Sequence, residues 1–379
     1  MDKKRDTRID LLFILILLVF IFFKWSHLTL PYIFDEANFY GPAVIKMYEN
    51  GPSLSPVSIP VFYSRGHPLL FHFLGASWMQ LFGTSILSSH IFALCISIIL
   101  LISVYYFCSK AFNQTAGIIS TISICVQPLF LAQSNLVLPE MLLALLMVTT
   151  LLSYLDNNKI VYWIAAALAM MTKESALILF CTLPIYRLYL LKINPADTFS
   201  NFIKDTLFIL SPISIWLLFL IWQKLTLGWF FFPEHQGLII LTPSVVWEKF
   251  ARILLIVFIW SGRNSLTLLS IIFLFYYYIK SKKLSPTITP YLILFTLFIL
   301  LFSSFSALNF FTNRYIISLV ILVSILTGCI LSFYSTKKYV IAISILIILI
   351  SGGYNILTLR YDCDHNLGYV DKANDSNKE

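Results

Sequence analysis

Apolar runs separated by short polar breaks dominate the chain. Residues 9–23, 86–107, 207–222 and 339–350 match or approach the ~20 apolar residues that cross a bilayer. Further runs at 117–131, 141–155, 162–171, 176–191, 265–279, 292–302 and 316–331 bring the expected number of spans to about eleven. None alternates with a period of two, and unpaired amides in hydrocarbon are costly, so the spans are helical. The pattern predicts an all-α polytopic membrane protein built as one domain over 1–379.

Basic residues fix the expected orientation. Lys3, Lys4, Arg5 and Arg8 precede the first span and place the N-terminus in the cytoplasm, where Lys110, Lys192, Lys282 and Lys338 follow. An outer loop then covers 31–67, a second covers 226–248, and an outer tail covers 361–379. Gly41-Pro42, Gly51-Pro52 and Ser55-Pro56 break the first loop into short interfacial helices. Residues 245–260 are apolar yet carry Glu248, Lys249 and Arg252 at helical spacing, which reads as an interfacial or partly inserted helix. Lys24 is expected to snorkel.

Composition narrows the class. Hydrophobic residues make up 59% and charged residues 12%, too little charge to cover a water-soluble surface. The net charge of +8 lies in clusters beside spans, so it orients the chain and does not point to nucleic acid. The six cysteines have neither zinc-ligand spacing nor a disulfide framework. The first run lacks a small-x-small cleavage site and reads as an uncleaved anchor.

Chemistry concentrates in the first loop, which opens Phe34-Asp35-Glu36-Ala37-Asn38-Phe39-Tyr40 and closes Tyr63-Ser64-Arg65-Gly66-His67-Pro68. The expected topology brings Asp35, Glu36, Arg65, His67, Glu140, His235 and Arg314 to the outer face, with Lys173 and Glu174 either at the outer end of a short hairpin or within the membrane. A carboxylate beside a ring of cations suits a reaction that deprotonates a hydroxyl and expels a phosphate. A site opening into the bilayer implies a lipid-linked substrate.

These residues carry a family resemblance. The Asp35-Glu36 segment, Gly66-His67-Pro68-Leu69-Leu70, Leu138-Pro139-Glu140, Met171-Thr172-Lys173-Glu174 and Arg314-Tyr315 occur in the order found in membrane glycosyltransferases of the C-type fold. The chain resembles most the protein O-mannosyltransferases and lipid A aminoarabinose transferases. Leu69 stands where a second proline is common, and Glu174 replaces the usual glycine. The resemblance implies an inverting transfer of a sugar from a polyprenyl-phosphate donor to a lipid, glycan or protein acceptor, at the outer face of a bacterial inner membrane. It makes Asp35 the catalytic base. Glu36, Glu140 and Tyr40 become acceptor or positioning residues, and Arg65, His67, Lys173, Arg314 and Tyr315 hold the donor phosphate.

No cofactor is required by these motifs, and no spacing demands a divalent metal, for which His67 and Glu36 are weak candidates. Blander roles compete. Asp35, Glu36 and Glu140 suit helix N-termini, while Arg65, His67 and Arg314 suit interfacial anchors. A transporter or flippase of a lipid-linked sugar, or an inactive glycolipid-binding homologue, remains a second reading.

Overall fold

The structure is a computed structural model describing residues 6–237 and 239–358, with side chains at all of these except His235, Gln236 and Thr358. The expected outer tail, 361–379, lies outside the described residues, as does the His235 side chain.

Every described element is helical. In chain order, α1 is Thr7–Trp25, followed by a π-helical turn at Glu36–Tyr40. The short helices α2 (Gly41–Asn50), α3 (Val61–Ser64) and α4 (Leu70–Phe82) complete the first loop. Then come α5 (Ile86–Ala111), α6 (Gln114–Cys125), α7 (Pro128–Gln133), α8 (Pro139–Leu155), α9 (Lys159–Thr172) and α10 (Leu177–Ile193). The remainder is α11 (Phe199–Leu210), α12 (Ile213–Leu227), α13 (Pro233–Gln236), α14 (Pro243–Phe258), α15 (Arg263–Ser281), α16 (Thr289–Leu308), α17 (Ile317–Leu331) and α18 (Lys338–Thr358).

Local signals account for many of the boundaries. Asp6 accepts from the Arg8 amide to cap α1, Ser85 caps α5, and Asn113 and Asn158 cap α6 and α9 through side-chain oxygens. Pro139 occupies the first turn of α8, where its missing N–H costs nothing, and Glu140 follows at the positive end of the helix.

Among the described residues five helices are long and apolar enough to cross a membrane, or up to seven if each bent pair counts as one crossing. The number of about eleven also counted α1, which carries Arg8, Asp10 and Lys24, and the runs at α6, α8 and α9, which fall short of ~20 residues. The chain is an integral membrane protein. Its most buried span runs Asn313–Tyr334 through the middle of the bundle. There α17 meets α6 at backbone distance, because a Cβ on Gly328 would overlap Ser120 and the Ala116 carbonyl.

Segment 245–260 forms most of α14, which pairs with α15 as a broken span or a re-entrant loop. α14 and α15 meet at 75°. Lys249 at one end donates to the Asn309 carbonyl, while Ile253, Ile256 and Val257 are buried. The break is held from inside by Arg263, which donates to the Ile256 carbonyl and reaches Gln127 Oε1 at 3.4 Å. Because α15 continues to the far end, the Lys282 cluster lies opposite the end that gathers Asp35 and Arg314.

Lys24 departs from expectation. Its side chain is fully buried and donates to the Leu131 carbonyl at 2.8 Å. It joins the end of α1 to α7 and does not reach an interface, because packed helices enclose that turn.

Candidate active site

Phe34 and Arg65 bracket the first loop, both in left-handed conformation at φ 47°. Asp35 stands just before the π-turn, its side chain making no capping bond, and Asn38 braces the turn by donating to the Phe34 carbonyl at 2.8 Å. Neighbouring residues on a helical turn cannot share a face, so Asp35 and Glu36 part company here. Asp35 faces a cavity and its side chain is 38% exposed, whereas Glu36 turns inward and is fully buried.

Arg314 stands in the short 3₁₀ turn Asn313–Ile316 that leads into α17 and is almost fully buried. It donates to Asp35, and its Nε lies 3.4 Å from Glu140 Oε1. Lys173 caps the end of α9 and donates to the same Glu140 oxygen at 3.1 Å. The Tyr315 ring lies 4.0 Å from the Lys173 ammonium and 5.4 Å from the Arg314 guanidinium. Two cations thus converge on one buried carboxylate, with an aromatic face against both.

The opposite wall comes from the close of the first loop. His67 Nδ1 and Glu174 Oε2 share a hydrogen bond of 2.7 Å. The Arg65 guanidinium stacks over Phe39 at 3.7 Å. Among the described residues Arg65 is the cavity-lining arginine or lysine with no carboxylate partner. Gly66 has φ +73°, and a Cβ there would come within 2.8 Å of Trp229 and 2.9 Å of Phe232. The second polar loop therefore leans on the turn between Arg65 and His67. It is tied at its base, where Gln223 donates to the Phe230 carbonyl at 2.7 Å and the Ile240 amide to the Leu308 carbonyl at 2.8 Å.

The cavity between these walls measures about 940 Å³. Its far side is apolar, with Leu143, Leu177, Phe302, Phe305 and Phe311. A charged rim on an apolar, aromatic trough suits a ligand with an anionic head and a hydrocarbon or ring-bearing body.

Two cavity-lining groups outside the spans have shifted acidity. Burial pushes the Lys173 ammonium down, but Glu140, with Tyr315 and Tyr40, outweighs it and holds the group above the ordinary lysine value. Burial raises the Tyr40 phenol above its ordinary value, so it stays protonated at neutral pH.

Of the nine residues singled out in the sequence, Asp35, Tyr40, Glu140, Arg65, His67, Lys173, Arg314 and Tyr315 line this cavity. Glu36 does not, because its carboxylate is held by His90 and the Val137 amide in the core. Of the expected roles, acceptor contact, metal ligand beside His67 or positioning residue, this placement away from the cavity fits the last. The carboxylate next to His67 is Glu174. Sequence reasoning missed that pairing and His90; a histidine inside the apolar run of α5 was the available signal for the latter.

Comparison with known proteins gives a likeness of fold and a partial family match. The family model described as dolichyl-phosphate-mannose-protein mannosyltransferase matches residues 66–222. No curated protein matches the sequence. The structure superposes on ArnT from Cupriavidus metallidurans in the apo state with a TM-score of 0.64 and 13% identity, over 93% of this chain and 63% of that one. Against the same protein bound to undecaprenyl phosphate the TM-score is 0.63 at 14% identity, over 92% and 62%. Against the oligosaccharyltransferase of Archaeoglobus fulgidus, in a complex with zinc and sulfate, it is 0.56 at 14% identity, over 89% and 51%. The chain spans less than two thirds of the length of each of these structures. The chain thus has an ArnT-like fold over 93% of its length, and residues 66–222 match the dolichyl-phosphate-mannose-protein mannosyltransferase model.

Proposed function

We propose that this protein is an inverting glycosyltransferase that moves a sugar from a polyprenyl-phosphate donor to an acceptor hydroxyl. The observation that carries the reading is the division of charge in the cavity. Asp35 stands exposed and oriented by Arg314, while Arg65 has no carboxylate of its own and meets an apolar trough. Support for the donor class comes from the ArnT structure that holds undecaprenyl phosphate.

In this mechanism Asp35 takes the proton of the acceptor hydroxyl, and the oxygen attacks the anomeric carbon from the face opposite the phosphate. The bond from that carbon to the phosphate oxygen breaks with inversion. The electron pair leaves on the polyprenyl phosphate, whose charge Arg65 meets directly and Lys173 and Arg314 meet across the cavity. Tyr40 and Glu140 shape the acceptor side, and His67 and Tyr315 bound the donor side. The cavity then faces the outer side of a bacterial inner membrane, with the N-terminus in the cytoplasm and the Lys282 cluster inside.

The test uses purified protein and a panel of polyprenyl-phosphate sugars, with release of polyprenyl phosphate as the signal. Release that depends on Asp35 and an added acceptor supports transfer. Sugar-lipid movement across liposomes without release indicates a flippase, and binding without either indicates an inactive glycolipid-binding protein.

A further inference from the structure

The Glu36 carboxylate and the His90 imidazole are both buried, at 0% and 1% exposure. His90 Nδ1 lies 2.9 Å from the Leu28 carbonyl, which has no proton to give, so Nδ1 carries the hydrogen. Its Nε2 lies 3.0 Å from Glu36 Oε1, and the Val137 amide donates to that same oxygen at 2.7 Å. The contact between Nε2 and Oε1 then needs one further proton, held by either the imidazole or the carboxyl. The pair is neutral as a unit, as burial on both sides favours.

Four segments meet there: the exit of α1 at Leu28, the π-turn at Glu36, α5 at His90, and the approach to α8 at Val137. Asp35 is the residue before Glu36, and Glu140 lies three residues after Val137. Arg314 contacts both of those acids. Glu36 Oε1 thus bridges the two segments that carry the carboxylates around Arg314.

We propose that Glu36 and His90 are positioning residues that fix the Asp35 turn against the start of α8, a role that rests on the transferase reading for its effect on turnover. The pair never touches substrate. Its loss leaves the donor pocket at Arg65 in place but lets Asp35 drift relative to Arg314.

Glu36→Gln preserves volume but cannot accept from the Val137 amide and bond His90 Nε2 through one atom while His90 stays neutral. The expected result is a fall in kcat of about 10–100-fold, with the donor KM within about twofold of wild type. His90→Gln serves as the second variant, since it can keep the link to Leu28 or to Glu36 but not both; it should show the same split. The double variant should be no worse than the poorer single one. Hydrogen exchange is measured alongside, because it needs no activity: in each single variant, amides of 33–41 and 135–141 should speed up together while those of α16 stay unchanged. Wild-type kcat in folded Glu36→Gln overturns the proposal, as does a rise in donor KM alone or acceleration of only one of the two segments. If wild-type protein releases no polyprenyl phosphate, the transferase reading fails and the exchange result still decides the coupling.

Discussion

Arg314 and Asp35, 279 positions apart in the chain, are bonded to one another at the wall of the cavity. The contact ties the first loop to the entrance of α17, the most buried span. A loop that would otherwise be held mainly by short helices is thereby referenced to the rigid centre of the bundle. Arg314 sets the direction of the Asp35 carboxylate and, through its 3.4 Å approach to Glu140, that of the neighbouring acid as well.

Asp35→Asn should reduce transfer by at least about 10³-fold, since general-base assistance contributes on the order of 10²–10⁴. The amide oxygen still accepts from Arg314, so the melting temperature should hardly move. Polyprenyl phosphate release and thermal unfolding measured on the same preparation check both halves; retained turnover would remove Asp35 from the role of base.

Arg65→Ala should raise the donor KM by about 10–100-fold, the equivalent of one charge-assisted hydrogen bond of ~1.5–3 kcal/mol. The change in kcat should be small by comparison. Arg65→Lys should recover only part, because an ammonium lacks the planar fork and stacks less well on Phe39. Titrating the donor at saturating acceptor reads this, and an unchanged KM in Arg65→Ala would show that the phosphate sits elsewhere.

Lys173→Gln should destabilise the protein by about 3 kcal/mol, the cost of removing one partner from a buried pair. Lys173 is held above the ordinary lysine value, so its contribution is complete below that value and is lost only as pH climbs past it. The gap in melting temperature between wild type and variant should therefore be constant from about pH 6 to 9. A gap that narrows steadily over that range would contradict the assignment.

Gly66→Ala should cost about 1–2 kcal/mol from the left-handed backbone alone. The added methyl also pushes on Trp229 and Phe232, so the second loop should separate from the first. Faster proteolysis within 228–237, with the bundle otherwise resistant, is the expected sign; an unchanged cleavage pattern would mean the loops are not mutually supported.

Much of this arrangement could be read from the residues. The spans announced themselves by run length, and Asp35, Glu140, Lys173 and Arg314 stood out because charge beside a span is expensive. What failed was direction within an element. Apolar patterning separates oil from water, but lipid is as apolar as a helix interface, so it does not say which face of a span meets protein. Lys24 was assigned to the surface for that reason, and His90 went unnoticed. Glu36 was placed with Asp35 because adjacency in the chain suggests adjacency in space, which a helical turn denies. The joint between α14 and α15 escaped because a broken crossing and an interfacial helix have the same composition.

The π-turn at Glu36–Tyr40 has one more consequence. Such a turn holds one residue more than an α-turn over about the same sweep, so deleting a residue within it would leave an α-turn with the residues beyond it still in phase with Asp35. The same deletion inside α2, which has no residue to spare, would turn everything after it by about 100°. The five residues Glu36–Tyr40 thus hold the one position of slack between Asp35 and α2, where a change of length is absorbed without turning the cavity wall.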